Sequence, residues 1–302
     1  AMAVRGPWLV ELGEDGGRVE SFFPAPRDGV WFKPEGEMDA KPEWHPLQPR
    51  EPRTGVLCDL PEHLKLVGFE EGDEPKGKPE AGDAFWSWSA LAGWLVDRKP
   101  PEVGAGLRSL MHERRMHVAL DSNARTVVEG GLFATDGLRF WSGEGPNARR
   151  LALGFETAAE LEKGLATLGG ERRLSYLRRV DAGLPGLPSE LGTRLEAARE
   201  ARLTMLTPAC FEAGAVPEVL HGRRVTAACV GRPEVMSGWD MEKRGPKPTR
   251  RLVPAGSVYW VELPEAYGEK VEWLNKAWAQ PAPEQSQQDC LDGFGLTLVG
   301  VK

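Results

Sequence analysis

Apolar and polar residues alternate with a period of two through "RMHVALD", "TVVEGGLF" and "GLRFW", with Gly-containing turns between them, which predicts three consecutive short strands. Short β-branched and aromatic runs mark "LTMLT", "RVTAACV", "SVYWVEL" and the final "LTLVGVK" as further strands. Helical spacing is rarer. In "SWSALAGWLVD", Leu91, Trp94 and Leu95 share one face behind a Ser87 or Ser89 cap. In "TAAELEKGLATLGGE", Thr157 and Glu160 make a T-x-x-E capping box, Leu161, Leu165 and Leu168 make an apolar stripe, and Gly169-Gly170 supplies a left-handed stop, so a helix is expected there. "SELGTRLEAAREAR" and "EKVEWLNKAWA" are expected to be helical as well. Strands outnumber helices and follow one another directly, which predicts an α+β fold with antiparallel sheets rather than a doubly wound parallel sheet.

Residues 22 to 83 break both patterns. Pro, Gly and charge alternate through "FFPAPRDGVWFKPEGEMDAKPEWHP" and "EEGDEPKGKPEAGD", which forbids long helices and predicts a loop-rich excursion. A length of 302 residues suggests two domains, each with a core. The formal net charge of -7 argues against indiscriminate adhesion to nucleic acid, so any anion site has to be local. Cys58, Cys210, Cys229 and Cys290 form neither a Cys-x-x-Cys pair nor a disulfide framework, which predicts a reducing, cytoplasmic compartment. No window approaches the ~20 apolar residues that span a bilayer.

Catalytic chemistry finds little support. "HERRMH" (residues 112 to 117) looks like a zincin motif, yet His117 lies five residues after His112, about 140° away around a helix. His45, His63 and His221 fall in unrelated loops, and no nucleophile elbow or Walker-type lysine loop is present. No metal or cofactor is expected. The strongest local signal is "SGWDMEKRGPKPTRRLVPAGSVYW", residues 237 to 260. It concentrates Lys243, Arg244, Lys247, Arg250 and Arg251 around two prolines, with Trp239 as a stacking face and only Asp240 and Glu242 to offset the charge. A basic track beside an aromatic ring is the recipe for single-stranded nucleic acid. The C-terminal "DGFGLTLVG" leads into a strand and not into a βαβ helix, so Gly293, Gly295 and Gly300 suit close backbone approach better than dinucleotide binding.

Together these stretches resemble a known family. "SGWDMEKRGPKPTRRLVPAGSVYWVEL" and "GFGLTLVG", with "FFPAPRDG", "MHVALDSNARTVVEGGLFATDGLRFW", "LGGERR" and "LTPACFEAGAVP" in order, are similar to the third subunit of the Cmr effector complex. That family belongs to the RAMP superfamily of type III-B CRISPR systems. The resemblance implies tandem ferredoxin-like, RNA-recognition-type domains with long loop insertions: residues 1–184, whose first strand and helix are expected to be absent, and residues 185–302, with a glycine-rich C-terminal loop. It also implies a non-catalytic RNA-binding scaffold that holds the 5′ handle of the CRISPR RNA beside the large polymerase-nuclease subunit and the backbone RAMP subunits. The five cations would then neutralise phosphates, Trp239 would stack on a base, and Gly293, Gly295 and Gly300 would let the backbone approach RNA. The alternative is a metal-independent endoribonuclease of the same superfamily, for which His112, His117 and Tyr259 are the available acid/base candidates. A third reading, a pure protein-interaction module, would use Trp31 and Trp44 of the excursion to grip neighbouring subunits.

Overall fold

The computed structural model describes residues 3–35, 41–52, 55, 60–72, 74–143, 148–169, 173–180 and 183–302; Cys58 and Gly170 lie outside them. Two antiparallel sheets carry the fold, and the helices are few and short. The first sheet has five strands in the order Trp141–Ser142, Arg149–Thr157, Val4–Leu12, Arg18–Pro24, Phe85–Ser87. The second has six, in the order Val219–Leu220, Arg223–Cys229, Val258–Glu262, Glu200–Met205, Leu296–Val301, Gln280–Pro281. The first long strand of this second sheet therefore lies between the third and fourth, and the second lies outside the third. Glu200–Met205 is buried at every position because it has neighbours on both sides and packing on both faces.

Helix α1, Trp88–Asp97, forms as expected. The Ser87 hydroxyl accepts from the Ala90 amide, Leu91, Trp94 and Leu95 are buried, and Arg98 ends the helix in the left-handed region. Helix α2, Ser189–Arg194, is shorter than the pattern predicts. From Glu200 the chain is a central strand paired on both sides, which overrides the helical pattern. Lys270 of helix α3, Tyr267–Ala277, caps the turn between them, its buried ammonium donating to the carbonyls of Glu196 and Ala198 at 2.6 Å each and of Leu195 at 3.3 Å. A fourth helix, α4, Gln287–Leu291, is capped by Ser286.

The helix expected from Thr157 onward is not there. Thr157 ends a strand, and Gly164–Leu168 pairs with Arg173–Leu177 as an antiparallel ribbon. A helix there would have nothing to bury its stripe against, since Leu161, Leu165 and Leu168 are 43%, 75% and 49% exposed. Without burial an isolated helix of this length is marginal, and Gly169, at φ 78°, follows a strand instead of capping a helix. A longer ribbon, Met111–Leu120 with Val127–Arg139, also projects from the first sheet, with most of both faces exposed.

The excursion is less irregular than expected. Gly29–Phe32 pairs with Glu43–Pro46 and with Pro79–Glu80, and Gln48–Arg50 pairs with Leu66–Gly68. Its tryptophans turn inward: the Trp44 ring meets Trp31 at 5.3 Å, Trp86 at 5.2 Å and Trp94 at 5.6 Å in edge-to-face contacts. Trp31 is buried and Trp44 packs against the main core, so the expectation that both grip other subunits is corrected: burial already occupies these rings.

One core joins the two sheets. Trp8, Val10 and Phe23 of the first sheet, Leu91, Trp94 and Leu95 of α1, and Leu203, Met205, Leu298 and Val299 of the second belong to a single buried cluster. At its centre lies a buried ion pair. Asp28 accepts from the Arg202 guanidinium and from Trp94 Nε1 (2.9 Å), while Arg202 also donates to the carbonyls of Val301 and of Trp94 (2.7 Å), with its guanidinium carbon 4.9 Å from the Trp94 ring centre. Arg98 stacks on the same indole at 5.0 Å, and burial, reinforced by the Arg202 charge, pushes Arg98 down to about 10.

Candidate nucleic-acid interface

The basic segment is a projecting hairpin rooted in the second sheet. Glu234–Met236 pairs with Arg250–Leu252, and Trp239–Asp240 pairs with Gly245–Pro246 nearer the tip. Between these ladders the Lys247 amide donates to the Gly238 carbonyl at 2.7 Å, and the Ser237 hydroxyl donates to the Lys247 carbonyl at 2.8 Å. The tip is an Asx turn: Asp240 Oδ1 accepts from the amides of Glu242 and Lys243 at 3.0 Å each, and Arg244 takes φ 50°. The sequence dictates this shape. Pro246 and Pro248 set extended backbone, and Asp240 folds the tip back.

The six candidates divide into two groups. Lys243, Arg244, Lys247 and Arg251 are exposed, and among the described residues none is in an ion pair. Trp239 is 58% exposed, so one face of its indole is available to a base. Arg250 is different. Its Nη2 donates to Asp289 Oδ1 at 2.6 Å, and its guanidinium carbon lies 5.5 Å from the centre of the Phe294 ring. Asp289 is itself fixed by the Ser286 hydroxyl at 2.7 Å. Arg250 therefore ties the root of the hairpin to α4, and its charge already has a partner.

The glycines call for a second correction. Gly293, Gly295 and Gly300 are buried, and the backbone they allow to come close is the chain's own. A Cβ on Gly293 would stand 2.7 Å from the Gly6 carbonyl oxygen, one on Gly295 would strike the Gln285 amide, and one on Gly300 would lie 3.2 Å from the Leu95 carbonyl oxygen. The Thr207 hydroxyl donates to the Gly293 carbonyl at 2.7 Å and the Gly295 amide to the Pro208 carbonyl at 2.8 Å. These three residues pack the C-terminal strand into the core and present no surface to RNA in this structure.

The acid/base candidates do not converge. Tyr259 is fully buried and donates to the Ala215 carbonyl at 2.6 Å, and burial pushes its phenol above the ordinary range. His112 and His117 stand opposite Leu138 and Phe133 in the long ribbon. Five residues apart on one strand, they point to opposite faces. His112 Nδ1 is 3.1 Å from Asp136, and His117 Nε2 is 2.8 Å from the Thr135 hydroxyl with its ring stacked on Phe133.

A residue that the sequence reading passed over sits at the seam. Arg27, in "FFPAPRDG", is exposed, donates its amide to the Gly256 carbonyl at 2.9 Å, and has its guanidinium where a Cβ on Gly231, just before the hairpin strands, would stand. The neighbouring Asp28 anchors that loop from inside. Only the fold brings Arg27 beside a segment more than two hundred positions later.

A family model described as CRISPR-associated protein (Cas_Cmr3) matches residues 1–302. No curated protein matches the chain. Among the solved structures similar to it are two from cryo-EM of the Type III-B Cmr-beta bound to cognate target RNA, one of them also with AMPPnP. Their identities are 12% and 14%, each with a TM-score of 0.44, over 86% of this chain and 65% and 66% of theirs. The chain thus spans just under two thirds of the length of the solved chains that it matches. Among the described residues no helix is long and apolar enough to cross a membrane, and no group of His, Cys, Asp and Glu is placed to hold a metal ion.

Proposed function

The chain belongs to the Cas_Cmr3 family of CRISPR-associated proteins, and from that premise we propose that it is a non-catalytic, RNA-binding scaffold subunit of a cytoplasmic type III-B Cmr effector complex. In this reading it holds the 5′ handle of the CRISPR RNA and docks the large polymerase-nuclease subunit and the backbone RAMP subunits for antiviral defence. The observation that carries the proposal is the projecting hairpin, with Lys243, Arg244, Lys247 and Arg251 free of ion pairs among the described residues and Trp239 exposed beside them. Flexible cations neutralise phosphates at any sequence, and an exposed indole stacks on an unpaired base. Arg27 extends the track to the seam between the sheets. Arg250 supports the track by fixing its root.

The fold fits this reading. In the second sheet the order of the four longer strands, each antiparallel to its neighbours, supports a ferredoxin-like reading, with an irregular segment in place of the first helix and α3 as the second. The scaffold role is favoured over nuclease activity because Tyr259 is buried and His112 and His117 face apart.

A salt-resolved titration against RNA carrying the repeat-derived handle, and against a scrambled handle, tests the proposal. Four phosphate contacts predict a log-log salt slope of about -2.8 for a single strand. Replacing Lys243, Arg244, Lys247 and Arg251 by Ala should remove most of that slope. An unchanged slope and affinity would refute the assignment, and cleavage of labelled precursor in EDTA would favour the ribonuclease alternative.

A further inference from the structure

A second cationic site lies in the first half of the chain, at the turn that joins Val4–Leu12 to Arg18–Pro24. A cavity of about 450 Å³ opens there, lined by Asp15, Gly16, Gly17, Arg18, Arg178 and Arg179, with Val180 at its edge. Three arginines line it, and among the described residues none of the three is in an ion pair. In a chain of net charge -7, three such arginines at one cavity are a departure from the average surface. Arg178 Nη2 is shielded from solvent and has no hydrogen-bond partner. A shielded donor left unpaired is destabilising, so a group that accepts from it would be bound favourably.

The turn is shaped for that approach. Gly16 takes φ 79°, and the Arg178 guanidinium lies where a Cβ at Gly16 would stand, so only glycine admits it. The single carboxylate of the lining is engaged locally, with Asp15 Oδ1 accepting from the Gly17 amide at 2.7 Å. Arg18 makes one long contact, to the Ser21 hydroxyl at 3.3 Å.

A larger groove of about 860 Å³ adjoins the cavity and shares Arg178, Arg179 and Val180 of its lining. Tyr176, 64% exposed, and Leu161 line that groove and offer apolar faces. Glu160 and Glu162 line it too, while Glu156 is held by Arg5 and by the Leu184 amide at 2.5 Å. Negative charge in the groove and positive charge in the cavity give a ligand one orientation. We propose that Arg18, Arg178 and Arg179 form a phosphate-binding pocket for a nucleoside phosphate, free or within RNA, whose base lies along the groove toward Tyr176. Guanidinium forks match phosphate oxygens in geometry as well as charge.

This site is separate from the hairpin and does not depend on the scaffold reading. Calorimetric titration of the purified chain with uridine 5′-monophosphate and with uridine tests it at low ionic strength. The monophosphate is expected to bind at least about tenfold more tightly than the nucleoside, because charge-assisted contacts of this kind each carry about that factor. Arg179→Glu, at an exposed position, should abolish the preference without altering the melting temperature, and Arg178→Gln should weaken binding by about tenfold. Equal binding of the monophosphate and uridine, or unchanged affinity in Arg179→Glu, would overturn the pocket. Competition by octauridylate with and without a 5′-phosphate then identifies the source. Displacement by both points to backbone phosphates, displacement by the phosphorylated form alone to a terminal phosphate, and displacement by neither to a free nucleotide. Replacing Lys243, Arg244 and Lys247 should leave this binding unchanged, so the two sites fail or succeed independently.

Discussion

His221 takes φ 49°, and its Nε2 lies 2.8 Å from the Thr297 hydroxyl, which itself donates to the Ala277 carbonyl at 3.1 Å. The network assigns Nε2–H as the donor to Thr297. Burial pushes the His221 imidazole down to about 4, against about 6.5 in an unfolded chain. As pH falls from about 6.5 to 4, the unfolded state takes up a proton that the folded state refuses, so stability falls across that window and levels off below it. The full effect is about 3 kcal/mol. Chemical denaturation at a series of pH values should show this decline, and His221→Asn should flatten it. Asp28 and Arg202 give a different residue-scale expectation. Removing one member of a buried pair strands the other charge, so Asp28→Ala should destabilise by about 3–5 kcal/mol in urea unfolding. Asp28→Leu combined with Arg202→Met should recover part of that loss. If the single substitution costs no more than a surface change, the pair does not hold the seam.

At the scale of the element, the basic hairpin has a root and a tip with different duties. Arg250 at the root is held by Asp289 and Phe294, whereas Lys243 and Arg244 at the tip face solvent. Asp289→Asn should therefore lower affinity for handle RNA while leaving the salt slope nearly unchanged, because no phosphate contact is removed. Lys243→Ala should lower the slope by about 0.7. A slope that falls equally in both would make Arg250 a phosphate contact after all. The two ribbons of the first half show where element-scale reading of the sequence succeeds and where it fails. Period-two alternation marked strands at "RMHVALD", "TVVEGGLF" and "GLRFW", but the structure has two where three were expected: Met111–Leu120 starts ahead of the first run, and the other two run together through Val127–Arg139 without a turn between them. At 157 to 171 a capping box and a leucine stripe met every local rule for a helix, yet the partner surface that would bury the stripe is absent and a hairpin forms.

For the molecule as a whole, the two sheets are built from different stretches of the chain but share one core. All strands of the five-stranded sheet lie between residues 4 and 157, and all of the six-stranded sheet lie between 219 and 301 or at Glu200–Met205. Trp94, Phe23 and Trp8 nonetheless pack in one cluster with Leu203 and Val299, and Asp28 pairs with Arg202 across the seam. Each half made alone would expose apolar surface and one unpaired charge. Separately expressed 1–184 and 185–302 should give poorly dispersed amide spectra and bind a hydrophobic dye, and mixing them should restore cooperative unfolding. Two halves that each unfold cooperatively on their own would show the shared core to be dispensable.

What the sequence by itself determined is local. Alternating and β-branched runs marked the long ribbon and the four longer strands of the six-stranded sheet but not Val4–Leu12, Arg18–Pro24 or Arg149–Thr157 of the other, the Ser87 cap and its apolar face marked α1, and charge, proline and Trp239 marked the basic hairpin as the interface to test. What only the tertiary structure decided depends on neighbours distant along the chain. Arg250 reads as one more cation until Asp289 and Phe294 meet it, the C-terminal glycines read as a ligand loop until Gly6, Gln285 and Leu95 close on them, and Arg27 and Arg178 reach their sites only when separate segments fold together. A period or a cap is written in adjacent residues. Whether a charge is paired or a backbone covered depends on contacts across the fold, and one sequence does not record which partner arrives.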